Sequence, residues 1–398
     1  MSSRSSGRLM LLATVLLVSA NLRPAITVVG PLIERIGSDT GLSPMPLGAL
    51  GSVPIIAFGV VAPLVHLLSR RFGLEPTILV SLLVLSAGTL LRSAPGTELL
   101  PQAVPLFTGT AILSAAIGVG NVLVPAVVKR DFPDQVPLMT GMYTAALVGS
   151  AALFSGGAVP LADVLGWDLA LAVPAALTLL AAAGWAVRRA PAAQPAPPAS
   201  APLPGSGLPT AVWRQPLAWQ VTLYFGLQST LFFTLLTWFP AIQTFHGIDE
   251  VAAGLWLGLM QAIGVLASLL VGRIMQRTAD QRGVSAAVSG FMLLALVGII
   301  FAPGLMPLWA LCAGVATGCS LLLGLTFIAL RAGTPRQVGK LSGMAQGIGY
   351  LLAAAGPVLA GAVYQGVGSW NVVLWGAIVV ALCMGLCGHL AGRSVQLK

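Results

Sequence analysis

"SANLRPAITVVGPL", residues 19–32, lies inside an apolar run that begins at Leu9. Between Arg8 and Glu34 this run holds a single charged residue, Arg23, and a proline follows it at once. About 20 apolar residues suffice to cross a hydrocarbon core of ~30 Å, so the run is long enough to span a membrane. A charge at that depth costs at least about 2.5–3.5 kcal/mol on insertion scales, so Arg23 must face protein or water. Pro24 removes a backbone donor and frees carbonyls at the same level. If one helix continues through the run, Ser19, Arg23, Thr27, Gly30 and Glu34 share a stripe.

The rest of the chain agrees with a membrane reading. Of 398 residues, 57% are hydrophobic and 8% charged, whereas a soluble domain carries about 25% charged residues. Apolar segments near the crossing length recur twelve times, at about 9–32, 47–68, 76–93, 101–127, 137–160, 168–187, 217–243, 251–272, 284–302, 305–329, 338–363 and 370–391. The expected fold is an all-α membrane protein. Leu9 to Val18 could pass for a signal-peptide core, but the run continues to Pro31 and further spans follow, so it is read as a retained first span.

The net charge of +9 has a topological meaning. With the N-terminus in the cytoplasm, seventeen of the twenty Lys and Arg fall in inner segments, Arg23 stays in the membrane, and Arg35 and Arg92 remain outside. That is a strong positive-inside bias. It makes nucleic acid an unneeded partner and puts both termini in the cytoplasm.

A long inner connection, residues 188–216, is dominated by Pro and Ala and reads as an extended or disordered linker. It divides the chain into a six-span bundle at 1–187 and another at 217–398. An internal repeat supports the division: "PDQVPLMTGM" (133–142) and "PRQVGKLSGM" (335–344) share Pro, Gln, Val, Gly and Met at an offset of 202 residues. Each copy joins a fourth span to a fifth. Twelve spans, a mid-chain linker and two homologous six-span halves resemble the major facilitator superfamily.

Three stretches narrow the resemblance. Asn21-Leu22-Arg23-Pro24, "VLVPAVVKRDFPDQV" (122–136) and "LSGMAQGIGYLLAAAGP" (341–357) are similar to signatures of the cyanate and nitroimidazole transporter (CynX/NimT) family. The resemblance implies a secondary carrier in a bacterial inner membrane that works as a monomer by alternating access, with protons or a counter-anion as possible coupling partners. One departure stands out. The wider superfamily has an acid near the loop between spans two and three, and here "HLLSRRFGLEP" (66–76) offers Ser69 and Arg70. Glu75 is the available substitute.

In such a fold the substrate site lies near the midplane between the repeats. Arg23 is the leading candidate, since a planar guanidinium fork suits small planar anions. All eleven acids fall at span ends or in loops, so none neutralises Arg23 at mid-membrane unless Glu34 reaches inward. The competing reading ties Arg23 to helix carbonyls or to Glu34 as a pin for the first span. Ser342, Gln346 and Tyr350 lie at helical spacing in span eleven, and Thr140, Thr144 and Val148 are their repeat mates in span five. Tyr143 lies beside that stripe. Asn21 is on another face from Arg23 and is better placed to lock the first span. Thr27, Asn121, Gln228, Trp238 and Gln261 complete the set; Trp238 could instead anchor at the interface. Arg70, Arg71, Arg130, Asp131 and Arg336 are gating candidates at the inner face, where charges can pair between halves.

Enzyme chemistry finds little support. His66, His246 and His389 are scattered at span ends, and neither a Walker loop nor a nucleophile elbow occurs. The four cysteines show no metal spacing or disulfide framework and read as small packing residues; no cofactor is expected. Gly254-x-x-x-Gly258, Gly314-x-x-x-Gly318 and Gly343-x-x-x-Gly347 are weak signals of close helix packing. The expected substrate is a small planar anionic or polar compound. The alternative is a proton-coupled exporter of neutral drugs or metabolites, which would want a buried acid. A sensor or scaffold without transport would need a soluble signalling domain, and the linker is too poor for one.

Overall fold

The structure, a computed structural model, describes residues 2–96, 100–188, 212–275, 278 and 280–397, with side chains described except at 2–8, 62, 63, 66, 136, 137, 335 and 336. Most of the expected linker and the side chain of Arg336 therefore lie outside the described residues. Among the described residues, twelve helical segments are long and apolar enough to cross a membrane, and each is called a crossing below. The first is built from α1 (Ser2–Ala20), α2 (Pro24–Thr27) and α3 (Val29–Thr40). Then follow α4 (Pro44–Phe72), α5 (Leu74–Arg92), α6 (Ala103–Asp131) and α7 (Val136–Leu165). The sixth crossing is divided into α8 (Trp167–Ala172) and α9 (Pro174–Ala186). The second half comprises α10 (Pro216–Phe245), α11 (Glu250–Met275), α12 (Arg282–Phe301), α13 (Met306–Arg331), α14 (Pro335–Val367) and α15 (Trp370–Ala391).

Twelve alternating crossings put both termini on one face, here called the terminal face; the other is the far face. Large apolar side chains such as Leu153, Val164, Leu266, Leu351 and Leu382 are exposed around the outside, as a surface bathed in lipid tails requires. Cys312 and Cys319 are buried packing residues, but Cys383 is exposed and Cys387 half-buried. On α15, beside exposed Val379, Leu382 and Leu386, Cys383 is a surface residue rather than the packing residue expected.

The halves meet along a far-face seam made by small residues. Gly48 of α4 lies against Pro357 of α14, and Ser52 Oγ donates to the Ala354 carbonyl at 2.6 Å. A Cβ at Gly30 of α3 would sit 2.5 Å from the Leu236 carbonyl of α10. Cβ atoms at Gly254 and Gly258 of α11 would sit 2.9 and 2.8 Å from the carbonyls of Ser155 and Ala152 on α7. Without a hydrophobic drive between helices in lipid, such backbone approach supplies the packing. Charges close the rim: Arg35 donates to Glu250 across the seam at 2.5 and 3.0 Å and to Asp163 of its own half at 2.8 Å. Glu34 accepts from Thr244 Oγ1 at 3.0 Å.

The terminal ends of the facing helices stand open. Nothing lies within 4 Å of a Cβ built on Gly141 or Gly149 of α7, or on Gly339, Gly343 or Gly347 of α14. The Gly343/Gly347 pair is therefore not a close-packing motif here, since no neighbouring helix approaches either position. Gly254/Gly258 and Gly314/Gly318 do pack closely; the second pair lies against α11 within its own half.

Gly258→Leu should overpack the seam and destabilise this state by about 1–3 kcal/mol. Thermal unfolding in detergent would show a lowered midpoint, while Gly141→Leu, which enters open space, would not lower it.

Candidate functional site

The first crossing is interrupted at the residues that opened the sequence. Helix α1 ends at Ala20, residues 21–23 leave the helix, and α2 restarts at Pro24. Proline at a first helical position loses nothing by lacking an N–H. Arg23 has φ −133° and ψ −38°, and its carbonyl accepts from the N–H groups of Ile26 and Thr27 at 2.9 and 3.0 Å. A second interruption falls at Val28. The continuous stripe from Ser19 to Glu34 is thus corrected: the chain is broken at Arg23 itself, and Glu34 is engaged at the far face with Thr244.

Arg23 borders a cavity of about 290 Å³ between the halves. Across it lie Gln228, Ser229, Phe232 and Phe233 of α10, Gln261 and Ser268 of α11, Thr317 of α13 and Tyr350 of α14. The first half adds only Arg23 and part of α7, from Thr144 to Ala151. The Arg23 guanidinium carbon is 6.0 Å from the Phe232 ring centroid, within the range where a cation is attracted by an aromatic face. Tyr350 is close enough to interact with it electrostatically and meets Phe225 edge-on at 5.5 Å. Among the described residues no hydrogen bond or ion pair holds the Arg23 side chain, and no acid lines the cavity.

The polar side of the cavity is a short chain of neutral groups. Gln228 Nε2 donates to Ser229 Oγ at 2.6 Å, and its Oε1 accepts from Ser320 at 3.4 Å. Gln261 Nε2 reaches only the Leu257 carbonyl of its own helix, at 3.5 Å.

The structure brings Arg23, Gln228, Gln261 and Tyr350 together and sends the other candidates elsewhere. Asn21 is buried between crossings one and six; it donates to Leu17 and Leu177 carbonyls and accepts from Thr178 at 2.8 Å. Thr27 is fully buried against the Ala151 carbonyl at 3.3 Å. Trp238 belongs to the far seam, where Nε1 donates to the Pro357 carbonyl at 2.9 Å and the ring lies 4.9 Å from Trp370. Gln346 donates to Ser342 at 2.7 Å and does not line the cavity. Nor do half-buried Asn121 and Tyr143. Asn21, Thr27 and Trp238 are held by groups on neighbouring helices, whereas Gln346, on the same face of α14 as Tyr350, is turned back along its own helix to Ser342.

Arg70 and Arg71 are exposed at the terminal face. Arg130 and Asp131 do not pair across the halves in this state. They join a cluster within the first half: Arg130 bonds Asp131 at 2.6 Å and Glu75 at 2.5 Å. Arg188 pairs with Asp131 and lies 3.7 Å from Glu75. Burial pushes the Arg188 guanidinium down to about 10 against the opposing pull of Glu75, so it remains charged at neutral pH. Glu75, the substitute expected for an acid near Ser69 and Arg70, is engaged in this cluster.

Residues 15–333 match the model of the Major Facilitator Superfamily. The chain belongs to that superfamily. It is 37% identical over 398 residues to the 2-nitroimidazole transporter of Escherichia coli (strain K12), covering 100% of this chain and 99% of that one. The cyanate transport protein CynX of the same organism is 28% identical over 361 residues, 88% of this chain and 89% of that one. These relatives support a superfamily transporter of the CynX/NimT type, a multi-pass membrane protein that moves a small molecule and is not an enzyme. Among solved structures, a bacterial homologue of the human lysosomal transporter Spinster has a TM-score of 0.76 at 15% identity, covering 98% of this chain and 97% of that one. A D-xylose–proton symporter has a TM-score of 0.73 at 14% identity, covering 98% of each.

Sequence reasoning missed Ser229, Phe232, Phe233, Ser268 and Thr317. The one available signal was Ser229 beside Gln228; a serine, threonine or phenylalanine in an apolar helix otherwise looks the same facing a cavity or a neighbour.

Removing one member of a buried charge cluster strands its partner, at a cost of about 3–5 kcal/mol. Asp131→Asn should therefore lower the thermal midpoint strongly. Adding Arg188→Met should recover part of the loss, because the stranded guanidinium goes too.

Proposed function

We propose that the protein carries a small planar anion or polar heterocycle, cyanate-like or nitroimidazole-like, by alternating access, with Arg23 as its main positive binding group. The observation that carries the reading is a guanidinium without an internal partner, facing a cavity shared by both halves. An uncompensated cation behind low-dielectric walls attracts an anion, and its fork can hold two oxygens or an oxygen and a nitrogen at once. The aromatic rings of Phe232 and Tyr350 suit a flat ligand, and Gln228, Ser229 and Gln261 offer neutral hydrogen bonds to its other edge. A cavity of about 290 Å³ is at the small end for ligand sites, about 300–1,000 Å³.

With the basic terminal face in the cytoplasm, the state described here is inward-open. The alternative, a proton-coupled exporter of neutral compounds, calls for an acid in the cavity, and no described lining residue is acidic.

Arg23→Gln should still fold, since it removes an unpaired buried charge, yet lose at least about tenfold in affinity, or 1.4 kcal/mol. Arg23→Lys keeps the charge without the fork and should bind weakly. Binding of cyanate and 2-nitroimidazole to the purified variants, measured with thermal unfolding on the same samples, checks this. Wild-type affinity in folded Arg23→Gln would make Arg23 a structural pin.

A further inference from the structure

A second guanidinium lies deeper in the first half than its sequence position suggested. Arg92, expected outside the membrane, is the last residue of α5 and is 1% exposed. Nη1 donates to the Ala25 carbonyl at 2.5 Å and Nη2 to the Leu171 carbonyl at 3.0 Å. Its Nε has no partner, and among the described residues no carboxylate pairs with it. The two carbonyls come from α2 and α8, the short segments that interrupt crossings one and six. Carbonyls solvate the charge but do not neutralise it.

Arg92 borders an enclosed void of about 20 Å³, together with Gly30, Gly51, Thr110, Leu236 and Thr237. That is room for about one water molecule, and it is far too small for a substrate in this state. Its position is what matters. Leu236 and Thr237 belong to the second half, and the remaining walls belong to the first. Gly30 presses on the Leu236 carbonyl and Gly51 on the Thr237 hydroxyl, so the void lies in the far-face seam, beyond Arg23 along the first crossing.

Alternating access must part this seam. As α10 withdraws, the void becomes a chamber open to the far face, walled by a guanidinium with a spare N–H and no counter-ion. We propose that Arg92 is a second anion station, sealed in this state and exposed to the far face in the other, which receives the same small anion that Arg23 holds from the terminal side. The inference rests on the anion-carrier reading above. Two N–H groups of Arg92 are already committed to carbonyls, so its hold is looser than a free fork. A weaker second station lets the anion leave as well as arrive, which conduction along any multi-site path requires.

The test needs no known substrate. Thr110→Cys, placed in a background with the four native cysteines replaced, puts a thiol beside the void. It would be labelled in membranes with anionic sulfonatoethyl and cationic trimethylammonioethyl methanethiosulfonates, each rate normalised to a free thiol. A nearby unpaired charge should favour the anionic reagent by about tenfold or more. Arg92→Gln should bring the ratio close to one, Arg92→Lys should keep it, and Arg23→Gln should leave it unchanged. A thiol that neither reagent reaches, a ratio at or below one with Arg92 present, or a preference that vanishes with Arg23→Gln would each overturn the proposal; the ratio with Arg92 present decides even if Arg92→Gln fails to fold. Lost ligand binding in Arg23→Gln without a charge preference at Thr110→Cys sinks only this station. A preference there, with normal binding by Arg23→Gln, sinks only the Arg23 reading.

Discussion

A guanidinium kept in a membrane bundle without a carboxylate is the constraint on which the rest depends. At about 2.5–3.5 kcal/mol or more, Arg23 can persist only where the protein supplies water, aromatic faces and dipoles instead of lipid. The structure meets that need with a break. Residues 21–23 leave the helix, Pro24 restarts it, and the side chain enters the cavity beside Phe232. Irregular backbone at membrane depth is tolerated where it lines a cavity, so the charge and the break explain one another.

The two halves of the chain divide the chemistry. At the terminal face of the first half, Arg130 and Arg188 are matched by Glu75 and Asp131. The corresponding corner of the second half holds buried Arg331, which donates to Gln281 and to the carbonyls of Ala391 and Gly392. There the cation's hydrogen bonds all go to neutral groups, with Asp280 acting on it only at longer range. The cavity is asymmetric too: the cation and one hydroxyl, Thr144, come from the first half, and the amides, the other hydroxyls and the aromatic rings come from the second. A ligand touching both ends of the cavity would bridge the halves.

The far-face seam between the halves is built from small residues. Gly30, Gly48, Gly254 and Gly258 let backbones touch at the far face, and the Arg35 bridge to Glu250 and Asp163 closes the rim. These contacts are numerous but shallow, since close approach without large interdigitating side chains leaves little to disengage. The same seam buries Arg92.

Much of this was legible in the sequence because it is one-dimensional. Twelve apolar segments of crossing length, the basic bias of alternate connections and the 202-residue repeat are properties of the chain order, and the bilayer leaves little choice but helices. Arg23 was legible for the same reason: one charge in an apolar run has few places to go. Direction was not. Asn21, Thr27 and Trp238 sit at promising spacings, yet they bond to neighbouring helices, because the rotation of each helix is set by its packing and the break at Arg23 resets the phase of the first crossing; Gln346 is instead taken up by Ser342 on its own helix. Arg92 read as a loop residue because it ends its helix, and only the two interrupted crossings folding around it made it a buried charge. The sequence by itself determined how many times the chain crosses and which residues carry charge; the tertiary structure decided which of them face the cavity, since that depends on contacts between segments far apart along the chain.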